Sequence, residues 1–168
     1  MKKCYMKINS VLFFVLFLSM PISTLASQSL NVSSLCDENE KIYFSCTLEN
    51  KKIVSLCGDG DNSSSPSSGY VQYRFGSQSN KEMIYPKTHK PPLNTFFKTD
   101  NSGGSVTTSN EISFNVGEYK YILGYAMVNN GYLAVVKGKE EQQIFFKRCD
   151  TKYPIVEIPQ KTSRFEQR

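Results

Sequence analysis

The chain has 168 residues, with 20 Lys and Arg against 15 Asp and Glu, a formal charge of +5 and a single histidine. So small an excess, interspersed with acidic residues, argues against nucleic acid as the partner, because phosphate binding needs a concentrated basic face. One histidine and no Cys-x-x-Cys pair also argue against a structural zinc site.

Met1-Lys2-Lys3 and Lys7 precede a mostly apolar stretch over residues 11–20, which gives way to Pro21 and then small residues around Ala26. Charged start, apolar middle and small-residue end are the parts of a signal peptide. The rival reading is a transmembrane anchor, but the apolar stretch is about half of the ~20 residues a spanning helix needs. Residues 1–26 are therefore expected to be removed on export, leaving a single domain over residues 27–168 with no stable membrane anchor. Losing three lysines brings the formal charge from +5 to +2. Four cysteines remain: Cys36, Cys46, Cys57 and Cys149. An even count in an exported chain reads as two disulfides in an oxidising compartment, and the periplasm is the expected location.

In residues 41–48, Ile42, Phe44, Cys46 and Leu48 alternate with Tyr43, Ser45 and Thr47, a period of two that predicts a strand. Residues 53–57 are β-rich and predict its hairpin partner. A turn at Asn50 and Lys51 would set Leu48 against Ile53, Cys46 against Ser55 and Phe44 against Cys57. Cys46 and Cys57 would then be diagonal neighbours, too far apart to bridge easily. The expected pairs are therefore Cys36–Cys57, stapling the incoming chain to the hairpin, and Cys46–Cys149, tying the last strand to the first.

Residues 58–69 carry Gly, Asp, Asn, Ser and Pro and predict a solvated loop. Asp59, Asp61 and Asn62 lack the glycine and distal glutamate of a helical calcium loop. Strands are expected at 70–75 and 82–85 about a turn at 76–81. A basic, proline-containing connection (86–92), a short edge strand (93–98) and a second polar loop (99–110) follow. Runs at 111–116, 119–128, 132–137 and 142–149 are rich in aromatic and β-branched residues. With turns at Gly117, Asn129-Asn130-Gly131 and Gly138, they predict an antiparallel meander. Tyr119, Tyr121 and Tyr125 share one strand face, expected to be an aromatic core wall with hydroxyls at the rim. Pro154 and Pro159 weaken the tail, and residues 161–168 are expected to fray. The predicted fold is all-β, an antiparallel sandwich or small barrel of about eight strands.

No G-x-S-x-G elbow, H-E-x-x-H helix or phosphate-cradling loop occurs. His89 sits in a proline-rich loop without a nearby carboxylate, a poor place for a catalytic base. No catalytic residue, metal or cofactor is assigned, and a binding role is expected. Residues 86–98 combine Lys87, His89 and Lys90 with Phe96 and Phe97, placing charge beside anchor-sized rings. These five residues are the partner-binding candidates, although Phe96 and Phe97 suit the core better than an interface.

The run Tyr43-Phe-Ser-Cys46, its hairpin and the terminal Cys149 resemble the small secreted β-barrels that Gram-negative bacteria use as lysozyme inhibitors. In that family a first-strand cysteine pairs with one near the C-terminus. Phe44-Ser-Cys46, Ser55-Leu-Cys57 and Gln72-Tyr-Arg-Phe-Gly76 are also similar to a progression in small periplasmic proteins. The inhibitor family's S-G-x-x-Y loop is not reproduced: Ser102 to Val106 ends in valine and Ser68 to Gln72 in glutamine. The resemblance implies a protein partner, a hydrolase or toxin acting on the envelope. The chain would then be an immunity protein against a lipase, amidase or muramidase, or a lysozyme inhibitor. A small envelope glycan-binding module or hydrolase is the alternative.

Overall fold

The computed structural model describes residues 33–59, 65–101, 109–126, 130–150 and 163–168. The expected leader (1–26), Asp61, Asn62, Asn129, Pro154, Pro159 and most of the second polar loop lie outside the described residues. Within them the chain is all β. The first five strands are β1 (Lys41–Thr47), β2 (Ile53–Gly58), β3 (Val71–Ser77), β4 (Asn80–Tyr85) and β5 (Phe97–Asp100). The other five are β6 (Ser109–Val116), β7 (Tyr119–Ala126), β8 (Asn130–Lys137), β9 (Gln142–Arg148) and β10 (Glu166–Gln167).

They form two sheets, ordered β1-β2-β3-β4 and β10-β5-β6-β7-β8-β9. Phe44, Leu56 and Tyr73 of the first pack against Ile112, Phe114, Leu123 and Leu133 of the second, a sandwich core rich in aromatic rings. Tyr73 and Tyr85 meet Phe114 at centroid separations of 4.9 and 5.0 Å. The fold is thus a sandwich and not a closed barrel. One corner is nevertheless sewn: Leu48 and Cys149 form an antiparallel bridge, and Asp150 N–H donates to Thr47 C=O at 2.7 Å. The expected meander is present as β6 to β9, antiparallel throughout.

The disulfides pair as expected, Cys36 with Cys57 and Cys46 with Cys149. The hairpin register that suggested them does not hold. Cys46 lies opposite Val54 and Ser45 opposite Ser55, one residue from the expected pairing. Lys51 takes a left-handed backbone (φ 66°), and Leu48 N–H donates to Lys52 C=O, so the loop holds three residues, Glu49 to Lys51. A turn residue in that region adds one position and shifts every pair. A bulge at Tyr43 adds a second irregularity and lets adjacent Tyr43 and Phe44 both enter the core.

β1 to β3 are buried on both faces, against the alternation expected of a two-sided strand. Residues 33–36 lie across the outer face, where Ser45 Oγ is bonded to Ser55 Oγ and donates to Ser33 C=O, both at 2.8 Å. The Cys36–Cys57 disulfide fastens this strap. Ser45 and Ser55 therefore read as surface residues in the sequence but are closed off by chain.

Three further expectations change. There are ten strands among the described residues rather than about eight, and β10 lies in the tail that was expected to fray. The expected strand at 93–98 begins only at Phe97 and is not an edge, because β5 pairs with β6 on one side and, in parallel, with β10 on the other. Residues 163–168 do not fray. Arg164 and Phe165 are 1% and 3% exposed, and the Phe165 ring packs edge-on against Tyr43 at 5.3 Å. Burying one such ring offers about 2–3 kcal/mol, enough to hold a short tail.

Candidate functional site

Two buried arginines organise the end of the sandwich that carries the expected binding loop. Arg74 of β3 donates to both Glu40 oxygens at 2.6 Å, to Leu35 C=O at 2.8 Å and to Gln72 at 3.0 Å. Burial is the largest influence on Glu40 and would raise its pKa. Bonds from Arg74, Tyr70 and the Asp37 N–H, with the Arg74 charge, outweigh it and hold the carboxyl below the usual range. Tyr70 donates to the same carboxylate at 2.7 Å, and burial, Glu40 and Asp59 push its phenol up to about 12.

Arg164 donates to Asp59 at 2.5 Å and to the carbonyls of Ser65, Ser68 and Tyr70. It therefore joins the C-terminal tail to the described ends of the first polar loop. Asp59, expected to be solvated, is committed to this contact and to the Tyr70 N–H. Cys36, Glu40 and Cys57 are spaced for a metal ion, but both sulfurs are in the disulfide and so are not thiolate ligands.

On this base sits the 86–96 connection. Lys87, His89 and Lys90 are exposed, as is Leu93. The loop is tied at several points: Gln72 donates to Pro86 C=O at 2.8 Å, Leu93 N–H to Pro66 C=O at 2.9 Å, and Phe96 N–H to Pro92 C=O at 2.9 Å. His89 stacks flat on Tyr70 with centroids 3.8 Å apart. Of the five predicted contact residues, the structure therefore groups Lys87, His89 and Lys90 on one pinned, exposed loop. It sends Phe96 into the core, against Tyr85 and Phe114, where it has no exposed surface. Phe97 lies on the outer face, half covered by the Arg168 guanidinium 3.5 Å from its ring. The exposed large apolar group of this loop is Leu93, which lies outside the five candidates.

Toward the other end of β3 and β4 the sheets part. A cleft of about 490 Å³ opens there between Tyr73, Phe75 and Met83 on one side and Tyr119, Tyr121 and Val135 on the other, with Phe145 and Ile144 at the β9 edge. The shared face of Tyr119 and Tyr121 pointed to this wall, although pairing it with Phe75 and Met83 needed the sheet packing. Burial raises the pKa values of Tyr73 and Tyr121, so both stay protonated and can donate a hydrogen bond. No protein-family model, curated protein or solved structure matches this chain.

Proposed function

We propose that this chain is a non-enzymatic binding protein of the periplasm that inhibits or neutralises an envelope-acting hydrolase, of the lipase, amidase or muramidase class. The exposed 87–93 loop is its contact surface. The observation that carries this reading is the loop itself: two lysines and Leu93 face solvent while the backbone of the connection is bonded to Val71 and Gln72 of β3, to Pro66 and, through Asn94 N–H, to the Glu166 carboxylate. A loop held in one shape loses little entropy on binding, so more of its contact energy survives as affinity. No carboxylate among the described residues lies within ion-pair distance of Lys87 or Lys90. Both charges are thus available to an acidic partner cleft. Two disulfides suit an oxidising compartment, and the signal-peptide pattern gives the route there.

The test is inhibition by the oxidised, leaderless chain of purified secreted lipases, amidases and muramidases. Stoichiometric inhibition of one class, abolished when the disulfides are reduced, is expected. Full activity of all three classes at saturating chain overturns the proposal.

A further inference from the structure

An unbroken run of contacts joins the Cys36–Cys57 disulfide to the 87–93 loop. Residues 37–39 are exposed, and the turn they make is fastened at one end by the disulfide and at the other by β1. Within the turn Asp37 N–H donates to the Glu40 carboxylate at 2.6 Å, and Glu40 N–H returns a bond to Asp37 C=O at 3.0 Å. The same carboxylate takes the Tyr70 hydroxyl at 2.7 Å. The Tyr70 ring in turn carries the His89 ring at 3.8 Å, their planes 3° apart. The next residue, Val71, donates its N–H to Lys90 C=O. Disulfide, turn, carboxylate, phenol and imidazole thus form one line from the strap to the cationic face of the loop.

Two observations set this bridge apart from Cys46–Cys149. Cys36 is partly exposed, whereas Cys46 and Cys149 are 1% and 3% exposed, so a thiolate can reach the first bridge and not the second. Both sulfurs of the first bridge also lie within 4.8 Å of a Glu40 carboxylate oxygen. Reduction therefore creates thiols beside the acceptor that Tyr70 uses. A thiol competes there as a weak donor, and a thiolate repels the carboxylate. Arg74 still holds Glu40 after the turn is released, but a carboxylate held by Arg74 alone can pivot away from Tyr70.

We propose that Cys36–Cys57 is a redox switch for the 87–93 loop, closed by oxidation and opened by a dithiol; its effect on binding rests on the reading of that loop as the contact surface. A thiolate of the reductant attacks the Cys36 sulfur. The electron pair of the S–S bond leaves with Cys57, which takes up a proton. The second thiol of the reductant then attacks the mixed disulfide, frees Cys36 as a thiol and closes a cyclic disulfide. Two electrons and two protons pass to the protein, and Cys46–Cys149 is untouched. With the turn free at Cys36, Glu40 turns from Tyr70, His89 leaves the ring, and the loop loses the fixed shape that favours binding.

His89 is the only histidine in the chain, so its imidazole proton signals report on the stack unambiguously. In the oxidised chain they should lie upfield, displaced by the Tyr70 ring current. Dithiothreitol, raised stepwise at constant pH, should reduce Cys36–Cys57 first, read by alkylation and peptide mapping. At that point the His89 signals should move to their free-histidine positions while the methyl signals of the core stay. Tyr70→Phe keeps the ring and removes the bond to Glu40, so in this variant the His89 signals should be the same before and after reduction. Signals that stay upfield in the singly reduced wild type, reduction of both bridges together, or an equal response in Tyr70→Phe overturns the proposal. Against a hydrolase that the oxidised chain inhibits, the singly reduced chain should be about 10-fold weaker. Undiminished inhibition alongside displaced His89 signals overturns the control of binding. Inhibition of no hydrolase by the oxidised chain overturns the contact-surface reading and with it that control, while the His89 signals still decide the coupling.

Discussion

Replacing Glu40 with Gln removes the charge that compensates Arg74, a guanidinium only 3% exposed. The carboxylate takes two bonds from Arg74 and one from Tyr70. A neutral amide offers one oxygen and turns an N–H₂ toward the guanidinium, so at least one donor is left facing a donor. Leu35 C=O and Gln72 still serve Arg74, while Asp37, 3.6 Å away and 70% exposed, adds little. Breaking one side of a buried pair costs about 3–5 kcal/mol, and the surviving bonds place this case near 3. For a domain of this size that corresponds to a fall of about 10 °C in melting temperature. Circular-dichroism melts at neutral pH measure it, and adding Arg74→Met should restore much of the loss. The folded pKa of Glu40 is lowered, so its stabilisation is present above the ordinary carboxylate value of 4.5 and disappears as pH falls through the folded value. The gap between wild type and Glu40→Gln should therefore close in acid. A loss below about 1 kcal/mol at neutral pH, typical of an exposed pair, or a gap that widens in acid, refutes the reasoning.

Removing Cys46–Cys149 by paired alanines should cost more than removing Cys36–Cys57, about 5 against about 3 kcal/mol in the chain-entropy picture for separations of 103 and 21 residues. Urea midpoints in the reverse order count against that. Phe165→Ala should lose about 3–5 kcal/mol in urea unfolding, whereas a frayed tail would lose nothing measurable. Gly131→Ala places a methyl 2.7 Å from the Cys149 sulfur and 3.2 Å from the Phe44 ring, and should cost about 1–3 kcal/mol through overpacking. An unchanged melt would show that this corner yields.

The strands and the number of disulfides were legible because period-two patterns, turn residues and an even cysteine count are local or countable signals, whereas the pairing came out as expected from a register that does not hold. The hairpin register was not, because it turns on Lys51 adopting a left-handed conformation that its identity does not announce. Nor was the burial of Ser45, Ser55 and Arg74, since residues 33–40 cover that face from a distance in sequence. Arg164 and Phe165 lie past two prolines, in a segment whose composition reads as solvated. Only its docking on Asp59 and Tyr43 shows otherwise. For the same reason Phe96 passed as a candidate anchor: a ring beside lysines looks identical in sequence whether it faces a partner or the core. The cleft joins Phe75 and Met83 to Tyr121 and Phe145, a pairing set by how the two sheets stack.

The association rate between the oxidised chain and the hydrolase it inhibits, compared for wild type and Lys87→Glu with Lys90→Glu at low and physiological salt, tests the proposed loop most directly. Charge reversal on a steering surface is expected to slow association about 10–100-fold at low salt, with a smaller effect as salt rises, while the melting temperature stays unchanged. Equal association rates and equal inhibition by the two proteins at both salt concentrations would show that the 87–93 loop is not where the partner binds.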